Sequence, residues 1–339
     1  MKEKKYIKNI IIFVVLIAIT FFFVFKNYDL NSTIAILKSS NLLYIIIGII
    51  VMFFYFVLET INIRSVLHGL GKKTKMKTCL KYPLIGFFFS GITPAASGGQ
   101  PLEIYFMNKD GIKVSDATIS LLVELSSFQI ITITCGIIGA IINYDLLASG
   151  FIWMFIVGTT LNSFALIIML ICFISPVTSE ALAELLIKVM RWLKVKNIEE
   201  KKKKIDQAIE DYQQGASFIK KNKMILVKSL FIVFLQVTLY YFIPVCVYKA
   251  LGLSGESIFH IMSVYAMLFI AVSSIPIPGT VGVNEASFLK IFALIFTAER
   301  ISSAMLLNRF ISFYVFIIIG LILTYINIKK SNRSISWVN

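Results

Sequence analysis

The sequence has few of the residues that build catalytic and metal centres. Of its 339 residues only two are histidines, His68 and His260, and four are cysteines. Two histidines so far apart do not provide a zinc site or a Ser-His-Asp triad. The cysteines show neither metal-ligand spacing nor a disulfide framework, and we expect buried thiols at Cys79, Cys135, Cys172 and Cys246. No catalytic residue, metal or cofactor is therefore predicted.

Charged residues are also scarce, and basic residues outnumber acidic ones. Charged residues make up 15% of the chain and hydrophobic residues 58%, with a mean hydropathy of +0.85. This composition excludes an ordinary soluble domain and predicts an all-α polytopic membrane protein. The net charge of +15 would suggest nucleic acid in a soluble protein. The basic stretches lack interleaved aromatics and a recognised motif, so no nucleic-acid partner is predicted and the excess is attributed to membrane topology.

Six apolar runs are predicted to be full spans: residues 10–25, 42–61, 117–142, 151–174, 224–248 and 303–328. The first run follows several lysines and precedes no small-x-small cleavage site, which favours an uncleaved signal anchor over a signal peptide. The predicted external loops contain few basic residues, namely Lys26, Lys38, Lys249 and Arg300. The positive-inside rule therefore predicts a multi-pass protein of the cell membrane with both termini in the cytoplasm.

Two further apolar regions are interrupted by proline and glycine. Residues 93–103 break the region 82–107, and residues 276–285 break the region 258–296. Each arm of the first region is too short to cross about 30 Å of hydrocarbon. Broken backbone at membrane depth is tolerated only against protein or a watery cavity. We predict two re-entrant helical hairpins, the first entering from the cytoplasm and the second from outside; the alternative is eight ordinary, kinked spans.

The two halves of the chain share one plan. Residues 42–142 and 224–328 each read as span, hairpin, span, in opposite orientations. Such an inverted repeat places a substrate site near the midplane. Residues 176–223 connect the halves and show the apolar spacing of amphipathic helices with a basic polar face. This connector is expected to be either a solvated hairpin or a helix pair on the anionic inner leaflet.

The residues after each break suit a helix start. Pro101 is expected at the first helical position with Glu103 in the first turn, and Asn284 is expected to cap a helix that begins near Glu285. Two half-helix N-termini that point inward predict an anion site, for which phosphate is the natural guest. The alternative is that the glycines of the breaks serve only close helix packing.

Charged residues inside the apolar regions are expensive, at about 2.5–3.5 kcal/mol each on insertion scales. Arg309 and Lys290 are expected to bind a lipid phosphate, and Glu103 and Glu285 to pair with them or to couple protons. A structural ion-pair network is the alternative. Glu59 lies near a predicted cytoplasmic end, where it would reach water. The candidate substrate-binding residues are Thr93, Pro94, Ser97, Gly98, Gly99, Gln100, Glu103, Glu124, Pro278, Gly279, Gly282, Asn284, Glu285, Lys290 and Arg309.

At the two breaks the sequence resembles the flippase-like membrane domain of lysylphosphatidylglycerol synthases, the multiple peptide resistance factor family. The family patterns T-P-x-x-x-G-G-E-P and P-G-G-x-G-x-x-E stand here as TPAASGGQP from Thr93 and PGTVGVNE from Pro278. Gln100 replaces the family's glutamate, which removes a carboxylate that would face a cationic headgroup. Thr280 replaces a glycine and is expected to stiffen the second break.

The resemblance implies movement of a phospholipid between leaflets, in the best-known members an aminoacylated phosphatidylglycerol. Full-length members add a soluble domain that transfers lysine from lysyl-tRNA to phosphatidylglycerol. The sequence ends at Asn339, so we expect no such domain and no lysyltransferase activity of its own. Two alternatives are an intramembrane headgroup enzyme with Glu103 or Glu285 as general base, and a membrane component of a separate synthase. The predicted partners are a membrane phospholipid and either a second copy of the chain or that synthase.

Overall fold

A computed structural model describes residues 30–146, 151–174 and 198–335, together with positions 181, 184, 187 and 188. The predicted first span, residues 10–25, and most of the connector's first half lie outside these residues. The described ranges contain helices and no strand. Together with the length and apolarity of these helices, this confirms an all-α polytopic membrane protein.

The helices follow in the order α1 (Leu30–Ser39), α2 (Leu42–Gly69), α3 (Met76–Cys79), α4 (Lys81–Ile92), α5 (Gly99–Lys109), α6 (Val114–Ile142), α7 (Tyr144–Leu146), α8 (Ile152–Ile174), α9 (Ile198–Lys221), α10 (Lys223–Ala250), α11 (Ile258–Val272), α12 (Val283–Ile291), α13 (Ile301–Arg309) and α14 (Val315–Ile335). A π-helical segment, Phe310–Tyr314, joins α13 to α14. Short 3₁₀ turns occupy Pro94–Ala96, Pro278–Thr280 and Phe292–Leu294.

Five helical segments are long and apolar enough to cross a membrane: α2, α6, α8, α10 and the run Ile301–Lys329. They coincide with five of the six predicted spans, and the total number of spans stays a prediction. Several of these helices are longer than the apolar runs from which they were predicted, because their backbone hydrogen bonds continue into the residues that follow the apolar run. α2, for example, runs eight residues beyond Ile61 to Gly69.

The packing of the two halves is reciprocal. α2 and α10, the first long helix of each half, lie side by side, while α4 packs against α14 and α11 packs against α6. Each of the two pairs formed between the halves, α6 with α11 and α14 with α4, has a glycine at a point of close approach. A Cβ added at Gly139 would lie 2.4 Å from the Ser263 carbonyl oxygen, and one at Gly320 would lie 2.3 Å from that of Leu84. The inverted repeat itself stays a prediction, which this exchange supports.

Both breaks occur where the sequence places them. The first separates α4 from α5 and the second separates α11 from α12, with a 3₁₀ turn in each. The two 3₁₀ turns, Pro94–Ala96 and Pro278–Thr280, contact each other. A Cβ on Gly279 would lie 3.3 Å from the Gly91 carbonyl oxygen, which shows how closely the breaks approach. The two interruptions thus contact each other.

The predicted helix starts at the breaks are wrong by one or two residues. α5 begins at Gly99, so Pro101 is the third helical residue and Glu103 lies beyond the first turn. Proline fits there because the first turn has no N–H partners to lose. α12 begins at Val283 with Gly282 as its N-cap, so Asn284 is a helical residue and no cap. Glycine takes the cap because its φ of 90° is unfavourable for a side chain.

The described half of the connector, α9, packs on the ends of two long helices. Its Ala216 and Ile219 join a buried cluster with Val66 of α2 and with Ile119 and Val123 of α6. At its edge Lys113 Nζ donates to Asp211 Oδ2 over 2.9 Å. The hydrogen bond from Lys113 lowers the pKa of Asp211, and the same bond raises the pKa of Lys113. This part of the connector is therefore docked on protein.

Candidate functional site

A buried ion pair lies behind the second break. Arg309 of α13 is 4% exposed and Glu285 of α12 is 2% exposed. Arg309 Nε donates to Glu285 Oε1 over 2.6 Å, and its Nη2 donates to the Gly279 carbonyl oxygen over 2.8 Å. The guanidinium also lies 4.3 Å from the ring centre of Phe313, a cation–π contact. The predicted pairing of Glu285 with a basic residue is thus observed, with Arg309 as its partner.

A cavity of about 210 Å³ opens between the two breaks. We call it the arginine cavity; its polar lining includes Ser90, Ser273, Thr280, Asn284 and Arg309. The rest of its wall is largely aromatic and aliphatic, with Phe87, Phe269, Phe313 and Tyr240 among the contributors. Because Glu285 compensates the charge of this guanidinium, an anion in the cavity would be bound through guanidinium N–H groups other than those bonded to Glu285 and Gly279.

A second cavity, of about 160 Å³, adjoins the first. We call it the acid cavity; its polar lining is Tyr55, Glu59, Ser90, Gln100, Glu103 and Glu124. Phe87 and Ser90 of α4 line both cavities. Glu103 is seated against Gly86, since an added Cβ there would collide with the Glu103 carboxylate. The Glu59 side chain is half-buried and lines this cavity, and the expectation that it reaches water stays a prediction.

The backbone N–H groups at the breaks are partly occupied by the protein itself. Gly98 N–H donates to the Thr93 hydroxyl over 2.9 Å, and Gly282 N–H donates to Glu285 Oε2 over 2.6 Å. These two N–H groups are therefore already used by the protein, and the predicted anion site built from glycine N–H groups does not include them. The basic group at the cavity wall is the Arg309 side chain.

The candidate residues fall into three groups. Gly279, Asn284 and Arg309 line the arginine cavity, and Gln100, Glu103 and Glu124 line the acid cavity. The hydrogen bonds described above stabilise the breaks and involve four other candidates: Thr93, Gly98, Gly282 and Glu285. The structure does not bring the remaining candidates into either cavity lining: Pro94, Ser97, Gly99, Pro278 and Lys290. Lys290 is exposed on α12.

Sequence reasoning missed several lining residues. Ser90 and Phe87 join the two cavities, yet in the sequence they are ordinary members of an apolar run. Gln236, which lies beside the acid cavity and is not a lining residue, was also missed, although an amide in the middle of an apolar span is a visible signal. It is fully buried, and its Nε2 donates to Glu59 Oε2 over 3.3 Å.

Comparison with known proteins agrees with this architecture. A family profile described as the lysylphosphatidylglycerol synthase TM region matches residues 10–320. A UPF0104 membrane protein of Archaeoglobus fulgidus is 21% identical over 310 residues, which cover 91% of this chain and 94% of that protein. The match extends over the long helices, both breaks and the connector. The chain belongs to the lysylphosphatidylglycerol synthase transmembrane-region family.

Proposed function

We propose that the protein moves a phospholipid between the two leaflets of a bacterial cell membrane, with the headgroup passing through the arginine cavity. One observation carries this proposal above the others. Two broken helix pairs meet around a cavity whose wall holds a buried guanidinium. Such breaks do not stabilise a bundle of membrane-spanning helices, whereas transporters form their substrate sites at them.

The electrostatics of the arginine cavity favour the phosphate of the headgroup. Glu285 and the Gly279 carbonyl hold Arg309 in one orientation against the cavity. Hydroxyl and amide groups of Ser273, Thr280 and Asn284 lie on the same wall. The Ser273 and Thr280 hydroxyls already donate to Asn162 Oδ1 and to the Gly279 carbonyl oxygen, so the donors proposed for a phosphate oxygen are the Arg309 guanidinium and the Asn284 amide. A charge-assisted hydrogen bond contributes about 1.5–3 kcal/mol.

The adjoining acid cavity suits a positive group on the same lipid. Its carboxylates, Glu59, Glu103 and Glu124, share the wall residues Phe87 and Ser90 with the arginine cavity. An aminoacylated headgroup carries a phosphate and an ammonium, and each would meet the opposite charge. This supports an anionic or aminoacylated phospholipid as the cargo, with the acyl chains remaining in the surrounding lipid.

Alternating access would follow from the inverted repeat. The exchanged packing of α4 with α14 and of α11 with α6 ties each hairpin to the last long helix of the other half. Rocking of these units would open the cavities to one face and then to the other. The distribution of basic residues favours cytoplasmic termini and therefore hairpins that enter from opposite faces.

Lipid movement is measured in proteoliposomes that contain a fluorescent phosphatidylglycerol. A membrane-impermeant quencher removes the outer-leaflet signal, so the rate at which inner-leaflet lipid becomes quenched reports translocation. We expect Arg309→Met to slow this rate by about 10- to 100-fold, the equivalent of one lost charge-assisted bond. Lys290→Met is the matched control, because Lys290 is also a basic residue within an apolar region but lies outside both cavity linings; it should retain the wild-type rate.

Two results would overturn the proposal. One is a wild-type rate for Arg309→Met, with the variant eluting from size-exclusion chromatography as the wild type does. The other is a chemically altered headgroup in the recovered lipid, which would make the protein an enzyme. Lipid that moves with its headgroup unchanged, and only when Arg309 is present, supports transport.

A further inference from the structure

Three carboxylates face the acid cavity from three different helices. Glu59 belongs to α2, Glu103 to α5 and Glu124 to α6. Glu103 and Glu124 are only 5% and 4% exposed. Within the described residues none of the three forms an ion pair with a lysine, arginine or histidine. Isolated buried carboxylates cost several kcal/mol each, so this cavity must be neutralised by something besides a neighbouring cation.

Polar atoms in and beside this cavity also lack partners. Glu103 Oε2 is buried and has no hydrogen-bond partner, and neither does Oε1 of Gln236. Gln236 lies on α10, is fully buried, and donates through its Nε2 over 3.3 Å to Glu59, which lines the acid cavity. Buried polar groups in proteins are nearly always satisfied. Two unsatisfied oxygens on different helices, one of them not from an acid, therefore point to a ligand here.

The geometry selects the kind of ligand. No three His, Cys, Asp or Glu side chains in the described part of the chain are close enough to hold one metal ion. A dehydrated metal needs several oxygens at once, whereas a proton needs only one. A proton bound to one carboxyl removes its charge and supplies a donor for a neighbouring oxygen. While no headgroup ammonium occupies the cavity, protonation is thus the neutralisation that this geometry favours.

We propose that the acid cavity is a proton-binding site, occupied at neutral pH, that exchanges its protons as a lipid headgroup passes through the arginine cavity. The titratable groups facing it are Tyr55 and Glu59 from α2, Glu103 from α5 and Glu124 from α6; α4 contributes none. The adjoining cavity contributes Arg309 and Tyr240. Only O–H bonds form and break: a carboxyl releases its proton to water and takes another back.

The link between the sites runs through α4. Phe87 and Ser90 line both cavities, so a headgroup on one side of α4 changes the field and the packing on the other. A phosphate near Arg309 adds negative charge beside the carboxyl groups and favours their protonated forms. Its departure favours proton release. This coupling rests on the proposed function, whereas the proton site itself does not.

Infrared spectroscopy tests the proton site without any transport. A protonated carboxyl has a carbonyl stretch that a carboxylate lacks, and this band shifts in heavy water. Purified wild-type protein at neutral pH should show the band, and Glu103→Gln and Glu124→Gln should each reduce it. Glu299→Gln, at an exposed position, is the control and should leave it unchanged. A wild-type spectrum without the band, or variants that retain all of it, would overturn the site.

A second experiment tests the coupling. Translocation of fluorescent phosphatidylglycerol, which brings no ammonium of its own, is followed with and without a pH gradient across the proteoliposome membrane. The wild-type rate should change several-fold with the gradient, and Glu124→Gln should respond to it much less. A wild-type rate indifferent to the gradient contradicts coupling. An infrared band in a protein that moves no lipid would contradict the transport proposal and leave the proton site standing.

Discussion

At the scale of single residues, the pair formed by Arg309 and Glu285 has two separable consequences. It removes an unpaired charge from the interior, and it fixes a guanidinium at the wall of the arginine cavity. A buried pair stabilises little in net terms, because desolvation offsets the attraction, but loss of one partner leaves a costly lone charge. Stability and transport should therefore respond differently to single and double replacements.

We expect Glu285→Gln to lower the stability of the detergent-solubilised protein by about 3–5 kcal/mol, because Arg309 then remains buried without its counter-charge. The double variant Glu285→Gln/Arg309→Met should recover much of this stability and still fail to move lipid. Thermal melting and the proteoliposome assay together provide the comparison. A double variant that is stable and fully active would show that the pair is structural only.

Thr280 carries the most unusual backbone conformation of the second break. Its φ is 50°, in the left-handed region that a β-branched residue rarely adopts, and it follows Gly279 with a φ of 58°. The hydroxyl compensates in part by donating to the Gly279 carbonyl over 2.8 Å. A left-handed L-residue costs roughly 1–2 kcal/mol. This explains why the related pattern has a glycine at this place.

Thr280→Gly should therefore raise the melting temperature, since relief of the left-handed strain exceeds the added freedom of the unfolded chain. Thr280→Val is its counterpart: it keeps the strain, loses the hydroxyl and should melt below the wild type. The melting temperatures of the two variants and of the wild type are measured in one detergent and compared. The same melting temperature for all three proteins would refute the strain argument.

Much of the site was visible in the sequence, because charges and glycines in apolar surroundings are conspicuous. Glu103, Glu124, Asn284 and Arg309 were identified in this way and line the two cavities. Ser90 was not, because a serine can satisfy its hydroxyl on its own helix and so passes unnoticed in an apolar run. Which N–H groups the protein itself would occupy depends on side-chain contacts that no spacing rule provides.

At the scale of elements, glycines set the distance between exchanged helices. Gly139 brings α6 onto the backbone of α11, and Gly320 brings α14 onto the backbone of α4. Small residues allow this approach, which lets helices pack by dispersion where no hydrophobic force operates. The two contacts occupy corresponding places in the two halves, as an inverted repeat would require.

Gly139→Ala and Gly320→Ala should each destabilise the protein, because even one methyl group would meet a carbonyl oxygen at 2.3–2.4 Å. Gly48→Ala is the matched control. It is also helical, but its added methyl would meet only side-chain atoms, the nearest 3.0 Å away on Ile311. We expect overpacking costs of about 1–3 kcal/mol for the first two and less for the third. Equal melting temperatures in all three variants would contradict this reading.

The docked connector α9 should respond to pH only at the extremes. The pKa of Asp211 is lowered by Lys113, so this contact is intact above the ordinary aspartate value and is lost as pH falls through the lower folded value. The pKa of Lys113 is raised, so the contact persists below the ordinary lysine value and is lost as pH rises through the higher one. Distances between spin labels on α9 and α6 should stay constant near neutral pH and broaden at both ends.

Asp211→Asn removes the charge and should make the same distance distribution insensitive to acid. Because the Lys113 side chain is exposed and that of Asp211 is partly exposed, the effect is expected to be small and to weaken in high salt. A distribution that broadens between pH values near neutrality would show that another group controls the docking.

The existence of the helices was predictable and their starts were not. Long apolar runs identify five of the long helices, and proline with glycine inside apolar runs identifies both breaks. The first residues of α5 and α12 depend on local turns and on the carboxylate of Glu285, which reaches back to Gly282 N–H. Such competition among capping groups is not resolved by residue preferences alone.

At the scale of the whole molecule, the proposed lipid path depends on two hairpins that enter from opposite faces and meet. The structure shows that they meet, through the contact of Pro94–Ala96 with Pro278–Thr280. Opposite entry is a prediction from the charges: basic residues flank the first hairpin, and few lie in the predicted external loops. The reciprocal packing of the two halves agrees with this orientation.

Site-directed labelling measures the two sides directly. In a background in which Cys79, Cys135, Cys172 and Cys246 are replaced by alanine, single cysteines are placed at Ser97 and Thr280. A membrane-impermeant maleimide is then applied to right-side-out or inside-out vesicles. We predict that the cysteine at position 97 reacts only from the cytoplasmic face and the one at position 280 only from the external face. Reaction of both from one face would contradict the inverted repeat and the lipid path built on it.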